Sequence, residues 1–250
     1  KTVLEVFIDG EKVDIKKVSG PATEVILKGK RITIGKKAVL FDLDGVLTGT
    51  SDNHFYGWKR MCADIGLDLP EEFRDRVRGI SRKDALDMIL KHFNLKYSDE
   101  EKLVLMDKKN NYYRESIASF TSDNLYPGVI ELLEGIKKSG GKIGLVSVSK
   151  NAPLLLRSMD IEKYFDAIVD TSKLSRGKPY PDPFLEAAEM LSVDPEECLG
   201  IEDAKAGIES IKSAGMKSVG IGNDDLREAD AVFDTIQDAS EYILKWLEGA

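Results

Sequence analysis

Two carboxylates, Asp42 and Asp44, stand two residues apart in Phe41-Asp42-Leu43-Asp44-Gly45-Val46-Leu47-Thr48, directly after the apolar run Ala38-Val39-Leu40-Phe41. Charge at the edge of an apolar segment is costly unless hydrogen bonds, a cation or a ligand compensates it. One reading is a strand followed by an acidic turn. The other is a magnesium site, because hard cations take oxygen ligands, in which one carboxylate also attacks phosphorus as a nucleophile.

Three further clusters bear on that choice. In Leu145-Val146-Ser147-Val148-Ser149-Lys150-Asn151 an apolar run leads into hydroxyls, an amine and an amide. Ser147 and the amides after it suit a phosphate cradle at the turn before a helix, or a plain capped helix start. Gly177-Lys178-Pro179-Tyr180-Pro181-Asp182-Pro183 places a lysine before a proline-stiffened loop, as a cation for an anion or as a solvated charge. Gly200-Ile201-Glu202-Asp203-Ala204-Lys205-Ala206-Gly207 ends another apolar run in a carboxylate pair, either metal ligands or an acidic helix cap. Singly, each has a structural explanation. Together, in one order, they supply nucleophile, phosphate cradle, cation and metal ligands.

The surrounding elements must deliver these clusters to one place. Residues 38–41 read as a strand buried on both faces of a parallel sheet. From about Ser51 to Phe120 apolar residues recur at threes and fours, notably in 54–65, 82–93 and 100–117, which predicts a helical insert. From Pro127 onward helices (129–139, 152–159, 183–191, 204–214) alternate with strands (142–146, 167–169, 198–201, 218–221). That rhythm predicts an α/β fold with a doubly wound, Rossmann-like parallel sheet. In such sheets ligands bind beyond the carboxyl ends of the strands, where all four clusters fall. Residues 1–37 differ: short alternating runs punctuated by Asp9-Gly10 and Gly29-Lys30 predict β-hairpins. The expected organisation is a β extension over 1–37, a core over 38–50 and 119–250, and a helical cap over 51–118.

The 250 residues are 42% hydrophobic and 32% charged, enough for one large core. A net charge of −8 argues against nucleic acid as a partner, and a small anionic substrate would need a local basic cleft. No apolar run approaches a membrane span or an export signal. Cys62 and Cys198 have no metal-ligand spacing and suit packing in a reducing compartment, so the expected location is cytoplasmic.

The four clusters are the motif set of the haloacid dehalogenase superfamily, which the chain resembles over about residues 38–222. Within it the chain is similar to the beta-phosphoglucomutase family. The likeness is carried by Thr48-Gly49-Thr50, His54, Trp58, Arg78-Gly79-Ile80-Ser81-Arg82, Asn124-Leu125-Tyr126-Pro127-Gly128 and Ser147-Val148-Ser149-Lys150-Asn151. The resemblance implies a mutase that interconverts beta-glucose 1-phosphate and glucose 6-phosphate, with magnesium as cofactor and glucose 1,6-bisphosphate as priming intermediate. It implies that Asp42 is phosphorylated and Asp44 is the general acid and base. Asp42, the Asp44 carbonyl, Glu202 and Asp203 would hold the metal. Ser147 and Lys178 would hold the transferring phosphoryl group. Arg82, Ser149, Lys150 and Asn151 would hold the other phosphate, His54 and Trp58 would contact the sugar, and Thr50 would sit at the cap hinge. A sugar-phosphate phosphatase of the same superfamily shares all four motifs; Arg82, His54 and Ser149-Lys150-Asn151 favour the mutase. A non-catalytic module would have no use for both Asp42 and Asp44.

Gly49, Ala85 and Ala204 depart from the family pattern, at positions that are not catalytic. Lys109 and Asn110 fall in a helix so rich in charge that a solvated face is expected for them rather than the lining of a cap pocket. Residues 26–34 resemble the C-terminal β module of inverting glycoside phosphorylases acting on maltose, trehalose or kojibiose, which implies a fused or neighbouring phosphorylase as partner; a short β extension packed on the core is the alternative.

Overall fold

The computed structural model describes residues 37–222 and 226–249 in full, together with the backbone of five N-terminal strands. Strands β1 (Val6–Ile8) and β2 (Glu11–Val13) pair antiparallel, as do β3 (Lys16–Lys17), β4 (Thr23–Leu27) and β5 (Lys30–Ile34) in a second small sheet. The hairpins expected from the alternation are therefore present. The expected strand residues Val3 to Glu5, Asp14 and Ile15 and the turn Asp9-Gly10 lie outside the described residues.

The core sheet contains β6 (Ala38–Phe41), β7 (Lys142–Leu145), β8 (Ala167–Ile168), β9 (Cys198–Glu202), β10 (Lys217–Ile221) and β11 (Ala231–Phe233). Its order is β11-β10-β9-β6-β7-β8, and every pairing is parallel. Side-chain alternation along β6 sorts residues between two layers. Val39 and Phe41 join Leu132, Leu133 and Ile136 of α5 (Val129–Lys138) and Ile243 of α9 (Ile236–Glu248). Ala38 and Leu40 join Phe184 and Ala187 of α7 (Asp182–Leu191) and Ile211 of α8 (Lys205–Ser213). Helices on both faces leave the central strand wholly buried, which explains why its sequence is a continuous apolar run.

Between β6 and β7 lies the helical insert: α1 (Ser51–Asp64), α2 (Phe73–Arg76), α3 (Arg82–His92) and α4 (Asp99–Ser116). It has its own core, with Phe55, Trp58 and Met61 of α1 against Phe73, Leu86, Ile89 and Leu105. Helix α4 begins with a capping box, Ser98 bonding the Glu101 amide and Glu101 the Ser98 amide. α6 (Ala152–Ser158) starts directly after the second cluster. Cys62 and Cys198 are buried and unpaired, and burial pushes their thiols up to about 11 and about 12, so they pack as inert apolar groups. Among the described residues no helix is long and apolar enough to cross a membrane.

Candidate active site

Asp42 follows the last residue of β6, and the chain then reverses through Gly45, whose φ of +87° is a left-handed conformation that a side chain would strain. A Cβ there would also collide with the Asp203 carboxylate, so Gly45 lets the turn carrying Asp44 close over the end of β9. Parallel pairing of β6 with β9 brings Asp42 beside Glu202 and Asp203, with one oxygen from each within 4.8 Å of the others. Lys178 reaches the same point with its ammonium fully buried. Its Nζ donates to Asp42 Oδ1 at 2.7 Å, to the Val146 carbonyl at 2.8 Å, and to Glu202 Oε1. Burial opposes the charge on Lys178, but Asp42 and Glu202 outweigh it and hold the ammonium above its ordinary range.

Three carboxylates against the Lys178 ammonium, with the Arg78 guanidinium 3.8 Å from Asp203 Oδ2, leave an excess of negative charge in a buried site. Burial first, then Glu202 and Asp44, push Asp42 up to about 8 despite Lys178. Asp203 is raised by burial and by Glu202, Asp42 and Asp44, against Arg78, and its Oδ1 has no hydrogen-bond partner among the described residues. Glu202 Oε2 accepts from the amides of Asp203 and Ala204 at 3.0 and 3.1 Å, which fixes its orientation. An all-oxygen set with surplus charge and an orphaned buried oxygen fits a hard divalent cation such as magnesium.

Asp44 points the other way, into the insert. Its Oδ1 accepts from Thr50 Oγ1 at 2.5 Å, from His54 Nε2 at 3.2 Å and from the Tyr113 hydroxyl at 3.4 Å. Burial opposes its charge, yet His54, Thr50 and Lys109 hold the carboxyl down to about 2. His54 lies flat on Tyr113, ring centroids 3.8 Å apart, and its Nδ1 accepts from Lys109 Nζ at 2.7 Å. Because the ionised Asp44 carboxylate can only accept, the proton on the imidazole sits on Nε2, facing Asp44, and Nδ1 is left to accept from Lys109. Burial and Lys109 together keep His54 below its ordinary pKa, hence neutral.

The second cluster forms a tight turn. The Ser149 amide bonds Ser147 Oγ at 3.1 Å, and the Asn151 amide bonds Ser149 Oγ at 3.3 Å. Asp42, Asp44, His54, Trp58, Arg82, Lys109 and Ser149 line one enclosed pocket between insert and core. Arg82, at the start of α3, and Asn151, before α6, both reach Asn110 of α4. Lys150 is exposed and lines a neighbouring outer groove with Arg82, Lys83 and Arg176.

Residues 36–215 match the family described as haloacid dehalogenase-like hydrolases. The chain belongs to that family. It is 47% identical over 188 residues to beta-phosphoglucomutase of Bacillus subtilis, covering 74% of this chain and 83% of the relative. It is 33% identical over 186 residues to a phosphorylated carbohydrates phosphatase of Thermotoga maritima, covering 73% and 83%. Among solved structures, a crystal structure of beta-phosphoglucomutase from Clostridium difficile superposes with a TM-score of 0.82 at 42% identity, covering 86% of this chain and 98% of that one. The family match begins near β6, leaving β1 to β5 outside it.

Of the residues expected at the site, Asp42, Asp44, His54, Trp58, Arg82 and Ser149 line one pocket, Lys178, Glu202 and Asp203 meet Asp42, Thr50 bonds Asp44, and Ser147 and Asn151 form the turn after β7, whereas Lys150 faces the outer groove. The expectation of a solvated face for Lys109 and Asn110 is wrong. Lys109 is 3% exposed and forms, with Leu105 and Tyr113, the buried stripe of α4; Asn110 bridges insert and core. Tyr113 was missed altogether. Spacing of i, i+4, i+8 for Leu105, Lys109 and Tyr113 was the available signal, hidden because the other positions of α4 are so rich in charge.

Proposed function

We propose that the protein is a beta-phosphoglucomutase that passes a phosphoryl group between Asp42 and the hydroxyls of a glucose phosphate, through beta-glucose 1,6-bisphosphate. The observation that carries the reading is the double environment of the Asp42–Leu43–Asp44 turn: one carboxylate beside a lysine and two further carboxylates, the other held by Thr50 at the junction and by His54 and Tyr113 of the insert.

Asp42, Asp203, Glu202 and the Asp44 carbonyl would hold magnesium, which when bound neutralises charge on the transferring group. Lys178 orients Asp42 and balances charge on the same oxygens, and Ser147 holds the phosphoryl oxygens. When a sugar hydroxyl attacks phosphorus, the bond from phosphorus to Asp42 breaks and the hydroxyl proton passes to Asp44. A carboxylate held near pKa 2 is ionised, and ready to accept, throughout the ordinary pH range. Neutral His54 orients it by donating from Nε2, and its Nδ1 is left to accept from Lys109. Reversal of the sugar then lets the other phosphate transfer back to Asp42. During each half-reaction Arg82, Ser149, Lys150 and Asn151 hold the phosphate distant from the nucleophile, where an arginine fork suits phosphate. Trp58 walls the sugar, and Thr50 stands where the insert joins the core. Burial of the pocket under the insert keeps water from the phosphoaspartate.

Residues 1–37, outside the family match, are read as a separate β module, and the resemblance of residues 26–34 to a phosphorylase module is what suggests a fused or neighbouring phosphorylase that delivers beta-glucose 1-phosphate. Incubation with beta-glucose 1-phosphate, magnesium and a trace of the bisphosphate is expected to give glucose 6-phosphate far in excess of free phosphate. Free phosphate without glucose 6-phosphate would instead make the protein a sugar-phosphate phosphatase.

A further inference from the structure

Asn110 has no part in the scheme above, yet it joins insert to core at the proposed distal grip. Its Oδ1 receives Arg82 Nη2 from α3 at 2.8 Å and Asn151 Nδ2 from the core at 2.8 Å. The guanidinium has no acceptor atom, so the Asn110 atom facing it is the carbonyl oxygen, and the Asn151 atom facing that oxygen is in turn its NH2 group. One neutral oxygen thus gathers two donors from two bodies. This is the arrangement a phosphate oxygen would impose on them.

We propose that Asn110 is a positioning residue that acts as a stand-in for the distal phosphate: its Oδ1 holds Arg82 and Asn151 convergent, latching insert to core, until a phosphate oxygen takes its place. The inference rests on the assignment of Arg82 and Asn151 to that phosphate. Its chemistry explains an amide at this position. An amide oxygen satisfies both donors in a half-buried site, where leaving them unpaired is costly. Being neutral, it yields to a phosphate, whose charged oxygens make stronger bonds to Arg82. A carboxylate in the same place would bind Arg82 by charge, compete with the phosphate and repel it.

The test is the concentration of glucose 1,6-bisphosphate that half-activates the mutase, measured with kcat for Asn110→Asp and Asn110→Ala, each also in an Arg82→Gln background. Asn110→Asp is expected to raise that concentration tenfold or more with kcat within about threefold, and to add little once Arg82 is Gln. Solution scattering of the unliganded protein is expected to show Asn110→Ala more open than wild type. An unchanged half-activation concentration in Asn110→Asp, or an effect equally large with Arg82→Gln, overturns the proposal; so does identical scattering from Asn110→Ala and wild type. If Arg82→Gln alone leaves half-activation unchanged, the distal-grip assignment itself falls and takes this inference with it, a result distinguishable because it appears with Asn110 intact.

Discussion

Lys109 shows how a single side chain can be costly to the fold and useful to the site. Burial, then Arg82, pulls its ammonium down to about 7, only partly offset by Asp44. A folded pKa below the unfolded value means that between about pH 7 and pH 10 the unfolded chain binds the extra proton, so stability rises with pH across that window. Below about pH 7 the whole penalty, a few kcal/mol, is present. Lys109→Met should therefore stabilise the protein by a margin that is large near pH 6 and small near pH 10, while lowering turnover because His54 loses its Nδ1 donor. Urea unfolding at both pH values checks this; a margin independent of pH would contradict the buried-ammonium account. The acidic cluster makes the complementary case. Asp203→Asn removes one of three mutually repelling carboxylates, so the metal-free variant should melt higher than wild type. It should also lose most of the stabilisation that magnesium gives by binding the folded state alone. Thermal melts with magnesium and with chelator decide it.

Among the elements, strand ends were the most legible. Apolar runs at 38–41, 143–146 and 198–201 could be read as buried parallel strands because nothing polar interrupts them, and their carboxyl ends then gathered three of the four motifs. The insert was legible as helix but not in its facing: Lys109 and Asn110 look solvated because α4 has charges on most of its surface, which masks the weak Leu105, Lys109, Tyr113 stripe that contacts with His54 and Asn151 show turned inward. The short strand β11, which contains a half-exposed Val232, has no strong apolar signal and was not read, nor was α9 after it. Packing between elements also sets an unforgiving tolerance at Gly207 on α8. A Cβ there would run into the Glu202 side chain, so the helix lies against the strand end only because residue 207 is glycine. Gly207→Ala should displace Glu202, loosen Lys178 with it, and raise the magnesium needed for half-maximal activity about tenfold or more. A magnesium dependence equal to wild type would show that the close approach does not matter.

Over the whole molecule, the division of labour follows chain order. The core sheet fixes Asp42, Glu202 and Asp203 on rigid strand ends, where the central strand has neighbours on both sides, and the loop before α7 brings Lys178 to them. The insert brings His54, Arg82 and Lys109 to the same pocket from the opposite side. Neither body is a complete site alone, which suits a reaction that must exclude water while phosphoaspartate exists and then release a bisphosphate to turn round. A phosphatase of the same family would share the four motifs and pass the phosphoryl group to water. The claim that separates the two is that phosphate on Asp42 is passed to sugar and not to water. The most direct measurement is a single-turnover chase. The protein is labelled with radioactive bisphosphate, freed of excess ligand, and mixed with unlabelled beta-glucose 1-phosphate in magnesium. Label is expected on the wild-type protein, absent from Asp42→Asn, and chased into sugar phosphates faster than it appears as free phosphate; label released chiefly as free phosphate, or retained by Asp42→Asn, would contradict the account.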